Sequence, residues 1–244
     1  MAPAAAPPRW HAFRLAKAGN APEEYEDAFA AAAGRFAVAD GASEASFAAD
    51  WARLLAEGFV AAPGKPWRDL AWLPPLRQRW AAAVDGRALP WYAESKREAG
   101  AFATLVGLDV RPAEEKGPGR WRALAVGDSC LFHTRRGRVL AAFPLECSTA
   151  FGSQPPLLGS RPAEAEPARE LARGKYRAGD RFLLMTDALA QWFLAQDEQG
   201  TCPAEEVAGL LAVADPEAAF AAWVAGRRGQ GLRNDDVTLL IVDL

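Results

Sequence analysis

The chain has 244 residues, 50% of them hydrophobic and 24% charged, with 28 Lys plus Arg against 31 Asp plus Glu for a formal net charge of −3. This suits a folded domain with one substantial core, argues against disorder, and offers no electrostatic footprint for nucleic acid or an anionic membrane. Three cysteines without a CxxC pair and two histidines argue against a disulfide scaffold, a structural zinc site and a histidine-dependent triad, so any chemistry would fall to carboxylates.

Residues 1–9 are rich in Ala and Pro and lack the cationic start of a signal peptide; they read as a mobile lead to one domain over 10–244. No apolar run approaches the length of a membrane span, so the expected location is the cytoplasm. A first strand is expected over 10–15. Residues 27–40 read as a β-hairpin turning at 33–35 and ending in Asp40. Phe47, Trp51, Leu55 and Phe59 then recur every four residues, predicting an amphipathic helix with Ser43 as its cap and Pro63-Gly64 as its end. A helical region over 67–84 is expected to break at Pro74-Pro75, and Pro90 to open a short helix running to about residue 98.

Strand patterns return at 101–110, 121–126 and 130–134, the last turning at Arg135-Arg136-Gly137 into 139–142. Residues 147–170, rich in Ser, Pro, Gly and Glu, read as a long surface connection. A buried strand over 181–187, helices over 188–196, 204–211 and 216–227, and a closing apolar strand over 237–244 complete the chain. Runs of strands, then helices, then strands favour α+β with antiparallel sheets. Most tryptophans, among them Trp51, Trp80, Trp121 and Trp192, fall on helical or strand periodicity and are expected in the core.

The acids sit at strand ends. Asp40 ends one strand, Asp128 lies in a turn, Asp187 ends another strand, and Asp235 precedes the last; Glu26 and Asp27 open the hairpin that Asp40 closes. Alone, Asp40-Gly41 or Gly127-Asp128-Ser129 is a turn former. Gathered at one rim, such carboxylates would repel one another unless a cation neutralised them, and with so little His or Cys the natural cation is Mg²⁺ or Mn²⁺.

The ordered set Glu26-Asp27-Ala28, Phe36-Ala-Val-Ala-Asp40-Gly41, Ala125-Val-Gly127-Asp128-Ser129, Leu184-Met-Thr-Asp187-Ala and Asn234-Asp235-Asp236-Val-Thr resembles the metal-dependent type 2C (PPM-type) protein phosphatases. Residues 100–104, Gly-Ala-Phe-Ala-Thr, take the place of that family's Gly-Ser/Thr-x-Ala strand, and the resemblance runs from about residue 10 to 244. It implies a central β-sandwich of two antiparallel sheets flanked by α-helices, with two Mn²⁺ or Mg²⁺ ions at one end. It also implies hydrolysis of phosphoserine or phosphothreonine by metal-activated water. The protein substrate would then be one phosphorylated by an opposing Ser/Thr kinase.

Carried over by position, Asp40 would bridge both ions, the Gly41 carbonyl would bind one, and Asp187 and Asp235 would complete the other. Asp128, with Asp187, falls where members hold a third, weaker ion, and Glu26 and Asp27 would order water around the site.

Two departures stand out. Many members carry an Arg four residues before the Glu to grip the substrate phosphate; here that position is Pro22, leaving Arg14 or Lys17 as candidates. The Asp-Gly-His-Gly of other members is here Asp40-Gly41-Ala42-Ser43, without its histidine. Two other readings stay open: a pseudophosphatase serving as a binding or regulatory module, and a phosphatase of a small phosphorylated metabolite.

Overall fold

The structure, a computed structural model, describes residues 7–32, 34–42, 47–85, 98–112 and 117–244. Two five-stranded antiparallel sheets form its centre. In sheet one the order is β1 (Arg9–Leu15), β12 (Val237–Asp243), β11 (Asp180–Met185), β7 (Cys130–Arg135) and β8 (Arg138–Phe143). In sheet two it is β10 (Glu170–Tyr176), β6 (Gly119–Val126), β5 (Leu105–Arg111), β3 (Arg35–Ala39) and β2 (Ala28–Ala32). A two-stranded ribbon, β4 (Phe102–Ala103) with β9 (Leu158–Gly159), forms a third, small sheet.

Strand alternation builds the layers, because successive side chains point to opposite faces. Phe36 and Val38 of β3 meet Leu184 of β11 and Leu240 and Val242 of β12 between the sheets. The other face of sheet two, including Ala37, Ala39 and Leu105, packs on α1 (Ala48–Ala61) and α2 (Leu73–Val84) through Trp51, Leu55, Phe59 and Trp80. Phe59 lies so close to β5 that a Cβ at Gly107 would fall 2.5 Å from its ring. The outer face of sheet one, through Phe132, Leu183, Met185 and Ile241, packs on α3 (Asp187–Glu198), α4 (Pro203–Gly209) and α5 (Pro216–Arg228). The result is the expected α+β sandwich in α-β-β-α layers. Trp51, Trp72, Trp80, Trp121 and Trp192 are buried, as their periodicity predicts.

The structure differs from the sequence reading in three places. Pro74-Pro75 does not break a helix but opens α2, because the first helical turn needs no N–H partners. α1 starts behind Phe47, whose φ of 66° sets the entry; Ser43, the expected cap, lies outside the described residues, as does nearly all of the helix expected from Pro90. The 147–170 connection is not all loop: β9 sits within it and pairs with β4. It leads into β10, an edge strand (Glu-Leu-Ala-Arg-Gly-Lys-Tyr) with little apolar signal, consistent with the charged residues that guard sheet edges.

Antiparallel register fixes which ends share a rim. Val38 pairs with Val106, Leu105 with Val126, Cys130 with Met185, and Met185 with Leu239. The end of β3, the β6–β7 turn, the end of β11 and the start of β12 therefore come to the same end of the sandwich. Asp40, Asp128, Asp187 and Asp235 ride on those four segments, with Asp27 just ahead of β2.

Candidate active site

Asp40 follows β3, where the chain leaves the sheet. The ribbon clamps it there: the Thr104 N–H donates to the Asp40 carbonyl at 2.9 Å, and the Ala42 N–H donates to the Phe102 carbonyl at 2.9 Å. Gly41 bridges Ala103 between them. A Cβ at Gly41 would fall 2.7 Å from the Glu26 carbonyl oxygen and 3.1 Å from Ala48, so this crossing admits only glycine without a shift. Gly127, with φ +95°, turns the chain into Asp128, and the Thr104 and Ser129 hydroxyls meet at 2.6 Å beneath that turn.

Asp27 is buried and accepts a 2.7 Å hydrogen bond from the Thr238 hydroxyl, which also bonds the Tyr25 hydroxyl. Thr238 in turn takes its place through its own N–H, which donates to the Thr186 hydroxyl at 3.0 Å. These two threonines tie the start of β12 to the end of β11, and so Asp235 to Asp187. Asp236 fastens the third segment: its carboxylate accepts the Lys17 N–H at 2.8 Å and the Glu26 N–H at 2.7 Å. Asp187 opens α3, where a carboxylate is favoured by the helix dipole.

The electrostatics follow from this crowding. Burial holds the Asp40 carboxyl well above its ordinary pKa, and the charges of Asp27, Asp187, Asp128 and Asp235 add to it. Burial likewise raises Asp27, with Asp236 and Asp187 adding and the Thr238 and Thr186 hydroxyls opposing. Asp128 is pushed up to about 6, by burial and then by Asp187. Among the described residues Arg233 ion-pairs with these acids: it meets Asp187 through Nη2, and its Nε lies 3.6 Å from Asp235 Oδ2.

The structure thus brings together Asp27, Asp40, Asp128, Asp187 and Asp235 at one rim, with the Gly41 backbone beside them. Glu26 joins through its backbone, anchored on Asp236. The donor set is all oxygen, which suits Mg²⁺ or Mn²⁺, and mutual repulsion within it is what a bound dication would relieve. Among the described residues, however, no three Asp, Glu, His or Cys side chains converge into a closed ligand shell.

At the two candidate phosphate-gripping positions, Arg14 is exposed on β1 opposite Thr238, close enough for its charge to act on Tyr25, and the Lys17 side chain is exposed while its N–H serves Asp236. Pro22 opens a short 3-10 turn with no cation in its place. Sequence reasoning missed Arg233, Thr186 and Thr238. Thr238 was discoverable, being in phase with the inward-facing Leu240 and Val242; Arg233, two residues from Asp235, carried no pattern of its own.

No protein-family model matches the sequence, and no curated protein matches it significantly. Solved structures do. The serine/threonine phosphatase PstP/Ppp of Mycobacterium tuberculosis superposes with a TM-score of 0.60 at 20% identity, over 97% of this chain and 98% of that one. The catalytic domain of PstP in complex with two manganese ions gives a TM-score of 0.56 at 23% identity, over 97% of each chain. PppA, a regulatory component of the type VI secretion system (T6SS) in Pseudomonas aeruginosa, gives 0.58 at 20% identity, also over 97% of each chain. Nearly end to end, then, the chain has the fold of the PPM-type serine/threonine phosphatases.

Proposed function

We propose that the protein is a metal-dependent phosphatase that hydrolyses phosphoserine or phosphothreonine in a protein substrate. The observation that carries this reading is the gathering of Asp40, Asp128, Asp187 and Asp235 from four separate segments onto one rim of this fold, with burial and mutual charge holding Asp40 well above its ordinary pKa. A fold has no structural need to crowd acids in this way, whereas a site that takes up dications does.

In this reading Asp40, Asp187, Asp235 and the Gly41 carbonyl hold two Mn²⁺ or Mg²⁺ ions, and Asp128 lies beside Asp187 where a further ion would bind. Such ions, when bound, supply a nucleophile from water and neutralise the phosphoryl oxygens. The chain's own part is positional. The Thr104 N–H fixes the backbone of Asp40, Thr186 and Thr238 hold the ends of β11 and β12 together, and Asp236 holds Glu26 and the segment after β1 in place. Asp27, buried against Thr238, is set to accept a proton or orient water at the inner edge of the site. A cellular role opposing a Ser/Thr kinase follows from the same reading, and no helix among the described residues is long and apolar enough to cross a membrane.

The test is hydrolysis of a phosphothreonine peptide beside p-nitrophenyl phosphate, with Mn²⁺, with Mg²⁺ and with EDTA, and Asp187→Asn as the control for contaminants. Peptide turnover that needs a dication and disappears in the variant supports the reading. Turnover of small phosphate esters alone would move the substrate to a metabolite, and no turnover together with no dication binding would leave a regulatory module.

A further inference from the structure

Arg233 lies on the loop between α5 and β12, two residues before Asp235. Its Nη2 donates to Asp187 Oδ2 and its Nε is 3.6 Å from Asp235 Oδ2, so one guanidinium spans two acids from different segments. The Arg233 side chain is 44% exposed, against 17% for Asp187 and 36% for Asp235, so the guanidinium sits at the mouth with Asp187 behind it and Asp235 open beside it. Its neighbour Arg228 is engaged otherwise, donating to the Ala16 and Asp235 carbonyls and stapling the loop to the segment after β1. A dication binding Asp187 and Asp235 would draw on the same carboxylates that this guanidinium pairs with, so the two cations compete for them. A guanidinium freed at the mouth presents a planar fork that matches phosphate oxygens, and Pro22 leaves the site without an arginine at the expected position.

We propose that Arg233 is the internal counter-ion of this site: it holds Asp187 and Asp235 until a dication takes them, and then turns its guanidinium to the substrate phosphate. The inference rests on the phosphatase reading and adds to it a residue with two alternating partners. It makes dication uptake a competition with the protein's own arginine, and links that uptake to completion of the phosphate-binding surface.

The experiment is calorimetric titration of MnCl₂ into the full chain and into Arg233→Gln, Arg233→Lys and Asp40→Asn, followed by kinetics on p-nitrophenyl phosphate at saturating Mn²⁺. Removing the competitor in Arg233→Gln is expected to tighten Mn²⁺ binding about fivefold, the scale of a partly exposed ion pair. The same variant is expected to raise KM about tenfold, the scale of a lost hydrogen bond to a charged group, with a smaller change in kcat. Arg233→Lys keeps the charge but not the fork, so it should restore most of the competition and little of the KM. If Arg233→Gln leaves either the Mn²⁺ affinity or KM unchanged while the wild type binds Mn²⁺ in an Asp40-dependent manner, the inference is overturned and the phosphatase reading stands. If neither the wild type nor Arg233→Gln binds Mn²⁺, both fall.

Discussion

The two rims of the sandwich treat their acids in opposite ways. At the far rim every buried or half-buried aspartate at a strand end has an arginine to itself. Asp109 is held by Arg35 at 3.2 Å and by Arg111 at 2.7 Å, Asp243 by Arg181 at 2.6 Å, and Asp180 by Arg135 at 2.5 Å with His133 at 2.8 Å. At the site rim Asp27, Asp40, Asp128, Asp187 and Asp235 crowd together, and one arginine reaches two of them. Strand β11 carries both situations, with Asp180 opening it and Asp187 just past its end. Burial pushes both Asp180 and Asp128 up, but at Asp180 the Arg135 guanidinium, the Arg177 N–H and His133 outweigh it and bring the carboxyl down to about 2. At Asp128 nothing outweighs it and the value rises to about 6. The far rim shows that the fold can compensate its acids one by one with its own cations; at the site rim, among the described residues, Arg233 pairs with two of five acids, and that deficit is what the proposed dication would meet.

The contrast breaks most sharply at Asp40. Asp40→Asn is expected to lower phosphatase turnover by at least about 100-fold, since the dication contributes several kcal/mol to the transition state. The same change is expected to raise the thermal midpoint of the metal-free protein, because one repelling charge is gone. A melt in EDTA beside a turnover assay in Mn²⁺ checks both. At the other end of β11, Asp180→Asn should do the reverse. Stability falls by about 2 kcal/mol as charge-assisted hydrogen bonds are lost, and turnover of the folded enzyme holds; urea unfolding and kcat at the same temperature decide it.

The two rims also answer pH with opposite signs. Asp180 has a folded pKa of about 2, below the ordinary unfolded value of about 3.9, so its contribution is present above about pH 4 and is lost as pH falls toward 2. Asp27, Asp40 and Asp128 are raised in the folded state, so they bind protons more tightly there and favour folding as pH falls from neutral through about 6 toward 4. The urea midpoint of the metal-free protein should therefore rise between pH 7 and about 5 and drop below about 4, and saturating Mn²⁺ should flatten the upper part of that curve. The smallest effect is expected away from both rims: Arg53→Ala removes exposed ion pairs to Asp50 and Glu57 on α1 and should shift stability by about 0.5 kcal/mol or less.

How legible these features were depended on where their signal lay. The buried strands and α1 announced themselves through alternation and a four-residue repeat, because burial on one face writes a period into the sequence. β10 did not, since an edge strand of Glu, Arg and Lys carries no apolar period. The two prolines of α2 were misread because proline stops a helix and starts one equally well, and only the chain before Leu73 decides which. The acids of the site could be found because they sit at strand ends in an order that matches a known pattern. Arg233 could not, because its importance comes from reaching Asp187, 46 positions away in the chain. Thr186 was hidden for the same reason, looking like an ordinary β-branched strand residue until the register brings it to Thr238, whereas Thr238 itself carried a signal in its phase with Leu240 and Val242.

The central claim is that the rim where Asp27, Asp40, Asp128, Asp187 and Asp235 crowd together is a dication-dependent hydrolytic centre. It is tested most directly by p-nitrophenyl phosphate hydrolysis in Mn²⁺ and in EDTA, wild type beside Asp40→Asn, with Mn²⁺ stoichiometry measured on the same preparations. The account predicts turnover by the wild type in Mn²⁺, none in EDTA, and loss of both turnover and Mn²⁺ binding in Asp40→Asn. Turnover that persists in EDTA or in the variant, or a wild type that neither binds Mn²⁺ nor turns over, would contradict it.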